Sequence, residues 1–312
     1  MNRAGPKNVV RIGLSAAIVS VADEQPRVLV VHQQTGGDGL PFGPFDPLRH
    51  RTLESGLRTW VNEQTYLDLD YAEQLYTFGD RGRHLVKASE GPRVVSVGYL
   101  ALVRGGAALK APDTRWSDWY GYFPWEDWRR KKPDIIDAVI APALKNFAKT
   151  DERHRNRARL CFGLDGLPWD EERVLERYEL LYEAGLVEEA KRDGRSAVLP
   201  ATPLGASMIF DHRRILATAI TRLRGKMKYR PVVFELMAPN FTLLELQRTV
   251  EAISGVRLHK QNFRRLVEGQ GLVEGTGKFS ALSRGRPAEL FRFRREVLGE
   301  RPSPGLRFGT RR

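Results

Sequence analysis

Residues 242–277, TLLELQRTVEAISGVRLHKQNFRRLVEGQGLVEGTG, carry the strongest structural signal in this sequence. Thr242 and Glu245 have the spacing of a capping box, in which each side chain bonds the other residue's free backbone N–H at the start of a helix. Apolar residues then recur at helical spacing until the Ser-Gly pair at 254–255 interrupts the pattern. A second helix is predicted to begin near Leu258, so the segment has the order helix, tight turn, helix.

The second predicted helix has two chemically different faces. Phe263 and Val267 point to one side, and at 100° per residue Gln261 and Arg265 point to the opposite side. Amide and guanidinium side chains form paired hydrogen bonds with base edges in the major groove, and cationic side chains also hold phosphates. The DNA-binding candidates of this helix pair are Thr242, Lys260, Gln261, Asn262, Arg264 and Arg265.

Two strand-like runs follow, at residues 272–274 and 288–294. The loop between them, GTGKFSALSRGRP, would bring Lys278, Arg284 and Arg286 to a phosphate backbone or a minor groove, as the wing of a winged helix does. The alternative interpretation is a basic α+β module that binds protein.

The charge of the chain is concentrated in its last third. From residue 211 onward there are 22 Lys+Arg against 9 Asp+Glu, and the residues before it carry 29 of each, so this part accounts for the whole net charge of +13. Such a field attracts a polyanion, and the release of condensed counterions favours nucleic acid binding. A solubilising surface is the plainer explanation of the charge taken alone.

Length and composition limit the class of protein. A chain of 312 residues with 41% hydrophobic residues suits about two folded domains. Cys161 is the single cysteine, so the chain has neither an intrachain disulfide nor a thiolate zinc site, which favours a reducing compartment. No apolar run of about 18 residues and no signal-peptide core is present, so we expect a cytoplasmic protein without a membrane partner.

The first half of the chain alternates strand and helix signals. Paired strands are predicted at 9–21 and 27–32, an amphipathic helix at 52–65, and a further strand pair around 74–78 and 94–103.

Helical spacing dominates the middle of the chain. The Trp-rich tract at 115–133 is predicted to be either a covering loop or a partner surface. Helices are expected from 135 to 187, followed by a basic amphipathic helix at 211–228. The Pro/Gly/Arg-rich end of the chain is predicted to be mobile.

The segments EQLYTFGD (73–80) and RVVSVGYLALV (93–103), in this order of elements, resemble the Nudix fold as found in the NrtR-like transcriptional regulators. Residues 210–248 and 259–277 resemble the winged helix of the same family, and the similarity is strongest to its NadQ subgroup, regulators of NAD biosynthesis. The resemblance covers nearly the whole chain, and its C-terminal motif is the more specific part.

The resemblance implies a fold of class α/β plus α+β, with an N-terminal Nudix-like α/β/α sandwich and a C-terminal winged helix-turn-helix domain. We assign residues 1–133 to a degenerate, effector-sensing Nudix-like domain and 134–205 to a helical connector. Residues 206–298 are assigned to the DNA-binding domain, and 299–312 to a flexible basic tail.

In the Nudix box, clustered carboxylates hold Mg²⁺ against a diphosphate. We align the Nudix box with this sequence by placing the arginine of the box at Arg58. Three of its glutamate positions are then occupied by His50, Thr59 and Asn62, and the fourth keeps its glutamate as Glu63. Thr65 stands in place of the last glycine. One carboxylate is a poor site for a divalent ion beside polyphosphate, so we predict no catalytic residues, no bound metal and lost or negligible hydrolysis.

A pocket that has lost hydrolysis still binds a nucleotide if aromatic side chains face the base and cations face the phosphates. The candidate effector-binding residues are His32, Phe42, Phe45, Arg51, Arg58, Glu63 and Tyr99. Each is also explained by packing or by an ordinary surface ion pair, and Glu63 equally by solvation on its helix.

Together, the patterns and the resemblance predict a sequence-specific transcriptional regulator of NAD metabolism genes, acting as a repressor, whose inactive Nudix-like domain senses ATP or ADP-ribose and needs no cofactor. We expect a homodimer on a pseudo-palindromic operator in double-stranded DNA, because one helix and one wing contact only a half-site. The alternatives are an active Nudix-type nucleotide pyrophosphohydrolase with a basic accessory domain, and a nonspecific nucleic-acid or scaffold protein.

Overall fold

The computed structural model describes residues 10–33, 36–80, 93–105, 108–280 and 287–306. Its first half is built on a mixed seven-stranded sheet. The strands are β1 (Val10–Ala22), β2 (Gln25–His32), β3 (Asp38–Gly39), β4 (Phe42–Pro44), β5 (Tyr71–Phe78), β6 (Arg93–Leu102) and β7 (Thr114–Asp118).

The centre of the sheet is the parallel pair β1 and β6, in register from Val10 opposite Arg93 to Val19 opposite Leu102. β2 runs antiparallel to the other edge of β1, and the two are joined by a turn in which Asp23 has φ 51°. β5 closes the far edge against β6, and β4 and β7 pair with β1 and β2. The four strands predicted in this half are therefore confirmed.

The helices are α1 (Leu53–Thr65), α2 (Ala141–Phe147), α3 (Glu152–Phe162), α4 (Val174–Glu183), α5 (Glu188–Arg192), α6 (His212–Met227), α7 (Leu243–Ser254), α8 (Lys260–Gly269) and α9 (Val297–Glu300). A two-stranded sheet of β8 (Val273–Ser280) and β9 (Ala288–Phe293) follows α8. A π-helical turn, Ile136–Ile140, leads into α2.

Helices cover both faces of the large sheet. On one face Leu57 and Val61 of α1 pack against Leu14 and Tyr99 in one apolar cluster. On the other face α6 contacts β1, β5 and β6 and packs alongside α4. The predicted α/β/α sandwich is thus confirmed. One of its outer layers is formed by α6, although the predicted domain boundary at residue 206 assigns this helix to the C-terminal domain.

The Trp-rich tract is part of the core. Trp119, Phe123 and Trp125 are fully buried, and Tyr122 is 1% exposed. Each buried aromatic side chain removes a large apolar area from water, which stabilises the packing of the sheet against the connector helices. Of the two interpretations, the covering segment is correct for these side chains and the partner surface is wrong.

The C-terminal segment also differs from the sequence prediction. Leu306 is fully buried, and its N–H donates to the carbonyl of Met227 at 2.7 Å. The flexible tail predicted for 299–312 is therefore wrong for residues 299–306. The prediction relied on the average composition of the segment, whereas the burial of a single leucine fixes its position. Residues 307–312 lie outside the described part of the chain. None of the described helices is long and apolar enough to cross a membrane.

Candidate nucleic-acid interface and nucleotide pocket

The first helix of the helix-turn-helix begins at the predicted capping box. The hydroxyl of Thr242 accepts from the N–H of Glu245 at 3.2 Å, and the carboxylate of Glu245 accepts from the N–H of Thr242 at 2.7 Å. The Thr242 hydroxyl is already used in the cap, and only its remaining hydrogen-bonding capacity is available to DNA. A DNA contact by Thr242 therefore stays a prediction.

The turn between α7 and α8 is fixed by Glu251, which is 1% exposed. Its Oε1 accepts from the N–H of Leu258 and from the side chain of Gln247, both at 2.9 Å. Its Oε2 accepts from Arg257 at 2.6 Å and from Arg248 at 3.0 Å. Although burial alone raises the pKa of Glu251, these donors hold it below its ordinary value. Sequence reasoning missed this residue.

The two faces of α8 are arranged as predicted. Phe263 and Val267 are buried against the domain, whereas Lys260, Gln261, Asn262, Arg264 and Arg265 are exposed. Arg264 is held by an ion pair to Glu268 at 2.7 Å. Within the described part of the chain, the side chains of Gln261 and Arg265 have no hydrogen-bond partner, so this face presents unoccupied donors and acceptors to solvent.

The wing is the antiparallel pair β8 and β9, which runs from Val273 opposite Phe293 to Ser280 opposite Ala288 with a register shift between Gly275 and Phe279. Lys278 is exposed on β8 itself, not in the loop, because the strand extends beyond the predicted residue 274. Arg284 and Arg286 lie outside the described residues. Phe279, which is 63% exposed next to Lys278, was not among the candidates.

The wing is joined to the start of α7. Phe241 and Phe291 exchange two backbone hydrogen bonds, of 2.9 and 2.8 Å. The rings of Phe234 and Phe293 stack at 4.4 Å between centroids. These contacts hold the wing and the helix pair as one unit.

Five candidate effector residues lie on the α1 side of the sheet. Tyr99 is 3% exposed, its hydroxyl lies 3.4 Å from Gln74 Oε1, and burial raises its pKa. Phe45 packs against the same apolar cluster. Arg58 pairs with Glu54 at 2.8 Å, and Glu63 faces Arg49 at 3.7 Å. Arg51 is exposed just before α1.

The other two candidates lie near the start of α6. The Phe42 ring is 5.0 Å from that of His212 and 5.5 Å from that of Phe210. His32 Nδ1 lies 3.4 Å from Asp38 Oδ1. The structure therefore divides the seven predicted residues between two places, and their common role in one pocket stays a prediction.

The residues at the Nudix-box positions have local partners. Thr59 donates to the carbonyl of Ser55 at 3.0 Å, and Asn62 donates to Asp68 at 3.0 Å. His50 is 5% exposed, and its Nδ1 accepts from a backbone N–H at 3.2 Å. Within the described ranges, no three His, Cys, Asp or Glu side chains are grouped as metal ligands.

The sequence of the C-terminal domain matches a known family. Residues 233–293 match the family model described as the NrtR DNA-binding winged helix domain. These residues contain α7, α8 and the wing, so this part of the chain is similar in sequence to that winged helix domain. A curated relative from Acinetobacter baylyi, "ADPR responsive transcriptional repressor NtrR", is 42% identical over 90 residues, which is 29% of this chain. The match spans 36% of that relative's length.

Solved structures share the fold of most of the chain. Shewanella oneidensis NrtR superposes with a TM-score of 0.55 at 22% identity, covering 92% of this chain and 95% of that one. Its complex with a 27mer DNA gives 0.54 at 21% identity with the same coverage. A MutT/nudix family protein from Enterococcus faecalis gives 0.54 at 15% identity, covering 94% and 90%. The predicted fold class and the resemblance to NrtR-like regulators are confirmed.

Proposed function

We propose that this protein is a transcriptional repressor that binds DNA through its NrtR-type winged helix and senses ADP-ribose, or a related adenine nucleotide, through its Nudix-like domain. The exposed Gln261 and Arg265 on α8 carry the proposal, because they present base-reading groups without a competing partner in the described part of the chain. The resemblance to the NadQ subgroup points to NAD metabolism genes as the targets.

Two neighbouring arginines on α8 test whether the contact reads bases. Arg265 is unpaired within the described ranges, whereas Arg264 would have to give up its ion pair with Glu268. The DNA is a duplex that the wild-type chain selects from a random 20-bp library, called the selected duplex below. We expect Arg265→Ala to weaken binding to it by about 1–3 kcal/mol, or roughly 5- to 150-fold. Arg264→Ala is the matched control and should have a smaller effect.

The same variants are then measured on a scrambled duplex by fluorescence anisotropy. Base reading requires that Arg265→Ala lose affinity mainly for the selected duplex. An equal loss on both duplexes would instead support nonspecific attraction to phosphates and would contradict the proposed sequence specificity.

The proposed effector is ADP-ribose, because the A. baylyi relative is named as responsive to it. A ligand shifts DNA binding only if it binds the DNA-competent and DNA-incompetent arrangements with unequal affinity. A mobility shift with the selected duplex and a panel of ATP, ADP-ribose and NAD tests this step. If none of the three changes DNA binding, the sensor proposal is wrong.

We further propose that the Nudix-like domain does not hydrolyse its ligand. Glu63 is the carboxylate that survives at the box positions, and it faces Arg49 at 3.7 Å. A single carboxylate beside a guanidinium is a poor ligand for Mg²⁺. Incubation with Mg²⁺ or Mn²⁺ and ADP-ribose or NADH should give no product, and turnover would favour the alternative of a pyrophosphohydrolase.

The proposed DNA-binding form is a cytoplasmic homodimer on a pseudo-palindromic operator. One α8 and one wing contact a half-site, and a two-fold axis in the protein would match the symmetry of the DNA. Light scattering of the complex should give two chains per selected duplex. One chain per duplex at saturation would contradict the dimer.

A further inference from the structure

The carboxyl end of α7 is capped by residues from outside the winged helix. The last carbonyls of a helix have no partners within it, and they attract donors and positive charge. Here the hydroxyl of Tyr120 donates to the carbonyl of Ala252 at 2.7 Å, and the N–H of Trp128 donates to that of Gly255 at 2.7 Å. The Trp-rich tract thus ends on the first helix of the helix-turn-helix.

A third cap comes from α6. Arg224, which is 1% exposed, donates from Nε to the carbonyl of Ile253 at 2.8 Å. Its Nη1 donates to Glu126 Oε2 at 2.6 Å and to the carbonyl of Glu171 at 2.9 Å. One guanidinium therefore joins the sandwich, the connector and α7.

Glu126 holds this guanidinium in place. The carboxylate is 1% exposed and also accepts from Nε and Nη2 of Arg177, at 2.5 and 2.9 Å. Arg177 in turn lies over the ring of Trp169 at 3.8 Å. Because both carboxylate oxygens are buried and accept hydrogen bonds from buried arginines, the position of Arg224 is tightly defined.

The other end of α6 lies beside a candidate effector residue. The N–H of Leu40 donates to Nδ1 of His212 at 3.1 Å, and the Phe42 ring packs edge-on against His212 and Phe210. Phe210 has φ 49°, in the left-handed region that non-glycine residues rarely adopt. The segment entering α6 is thus tightly constrained where it meets the loop that carries Phe42.

We infer that Arg224 is a positioning residue for DNA recognition, through which α6 couples a nucleotide at the Phe42 loop to the position of α7 and α8. A 16-residue helix spans about 24 Å and moves as a rigid rod. A displacement at its first turn is therefore delivered to Arg224 near its last turn. This inference rests on the proposed nucleotide-responsive DNA binding.

Two variants weaken the cap without opening the core. Tyr120→Phe removes the bond to Ala252 and the hydroxyl that accepts from Arg224 Nη2 at 3.5 Å. Arg224→Lys keeps the charge beside Glu126 but cannot supply a fork of donors. The matched control is Tyr182→Phe, because this tyrosine is also buried, at 3% exposed, and its hydroxyl donates to Asp193 in the connector at 2.9 Å.

The measured quantity is the ratio of the dissociation constants for the selected duplex with and without ADP-ribose, using the full chain. Nucleotide affinity is measured separately by calorimetry. We expect a ratio on the order of 5- to 150-fold in the wild type and in Tyr182→Phe. In Tyr120→Phe and Arg224→Lys it should approach 1, while ADP-ribose affinity changes less than about twofold.

Two results would overturn the inference. If both cap variants weaken DNA binding by the same factor with and without ADP-ribose, Arg224 is structural only, although the proposed function stands. If the wild-type ratio is itself 1, the proposed function fails together with this inference. Should Arg224→Lys misfold, as judged by near-ultraviolet circular dichroism, Tyr120→Phe alone decides.

Discussion

Replacing Glu251 with glutamine should loosen the turn between α7 and α8 without removing a heavy atom. Glutamine keeps an oxygen for the N–H of Leu258, but it places an NH₂ group where Oε2 now accepts from Arg257 and Arg248. Two charge-assisted bonds are lost, and a buried donor then faces two other donors.

The size of the effect follows from the exposure of the partners. The side chains of Arg248 and Arg257 are 33% and 45% exposed, so each lost ion pair is worth only about 0.5–1 kcal/mol after solvent screening. The unsatisfied amide adds about 1 kcal/mol, because it is buried without an acceptor. We therefore expect a loss of about 2–3 kcal/mol, which a domain stable by roughly 5–15 kcal/mol survives.

The effect should also depend on pH. Burial on its own raises the pKa of Glu251, but its hydrogen bonds outweigh this and lower the pKa below the ordinary 4.5. A carboxylate with a lower pKa in the folded state stabilises above its unfolded pKa and loses that contribution as pH falls through the folded pKa. The difference between wild type and Glu251→Gln should be full at neutral pH and shrink below pH 4.5.

Urea unfolding at pH 7, followed by Trp fluorescence, measures the change in the free energy of unfolding. Glu268→Gln is the matched control, because it removes an exposed i,i+4 pair with Arg264 and should change stability by less than about 0.5 kcal/mol. Affinity for the selected duplex should fall in Glu251→Gln, because α8 loses its fixed entry angle. A variant as stable as Glu268→Gln would refute the reasoning.

Three further changes test other parts of the structure. Gly255→Ala should destabilise the protein by about 2–4 kcal/mol and abolish DNA binding in a mobility shift. Gly255 has a φ of 76°, and the new methyl group would collide with the Glu126 carbonyl. A variant as stable as the wild type would contradict this. Leu306→Ala should lower the free energy of unfolding in urea by about 2–4 kcal/mol, whereas the same change at the exposed Leu298 should lower it by less than about 1 kcal/mol. Equal effects would contradict the packing of the C-terminal segment through Leu306. Lys278→Ala should weaken all duplexes alike and reduce the slope of log Kd against log salt by about 0.9; an unchanged slope would show that this lysine does not neutralise a phosphate.

Local signals in the sequence predicted the helix-turn-helix well. The capping box of Thr242 and Glu245 forms as expected, and α8 begins two residues after Leu258. The opposite placement of Gln261 and Phe263 follows from helical geometry alone. Predictions of this kind succeed because each depends on residues within one or two helical turns of each other.

Buried charges could not be predicted in the same way. Glu126 and Arg224 are 98 residues apart in the chain, and each resembles a surface residue in its own segment. Glu251 is similar, since one more glutamate on a helix normally indicates a solvated face. The signal that was available is the density of aromatic residues around Glu126, which marks a segment more suited to the core than to a surface.

The candidate nucleotide pocket depends on sheet register, which the sequence does not specify. Phe42 and Phe45 are three residues apart, yet Phe42 meets α6 whereas Phe45 packs with the α1 cluster. Phe42 begins the short strand β4 and Phe45 directly follows it, and residues an odd number of positions apart in an extended segment point to opposite faces. Composition and spacing therefore identified plausible side chains without identifying a common site.

The placement of α6 changes the meaning of the charge asymmetry. Its cations Arg224 and Lys226 pair with Glu126 and Glu73 of the front half, at 2.6 and 2.7 Å. Part of the positive excess counted from residue 211 is therefore matched by acidic residues that precede it, and serves to attach the two domains.

The charge left to attract DNA is smaller and lies elsewhere. Lys260, Arg265 and Lys278 are exposed and have no carboxylate partner within the described ranges. Since α6 uses its cations internally, neutralising Lys226 or Arg222 should leave the salt dependence of DNA binding unchanged, whereas neutralising a cation on α8 or the wing should reduce it. A large change in salt dependence from Arg222→Ala would place the DNA against α6 and would displace α8 as the main contact surface.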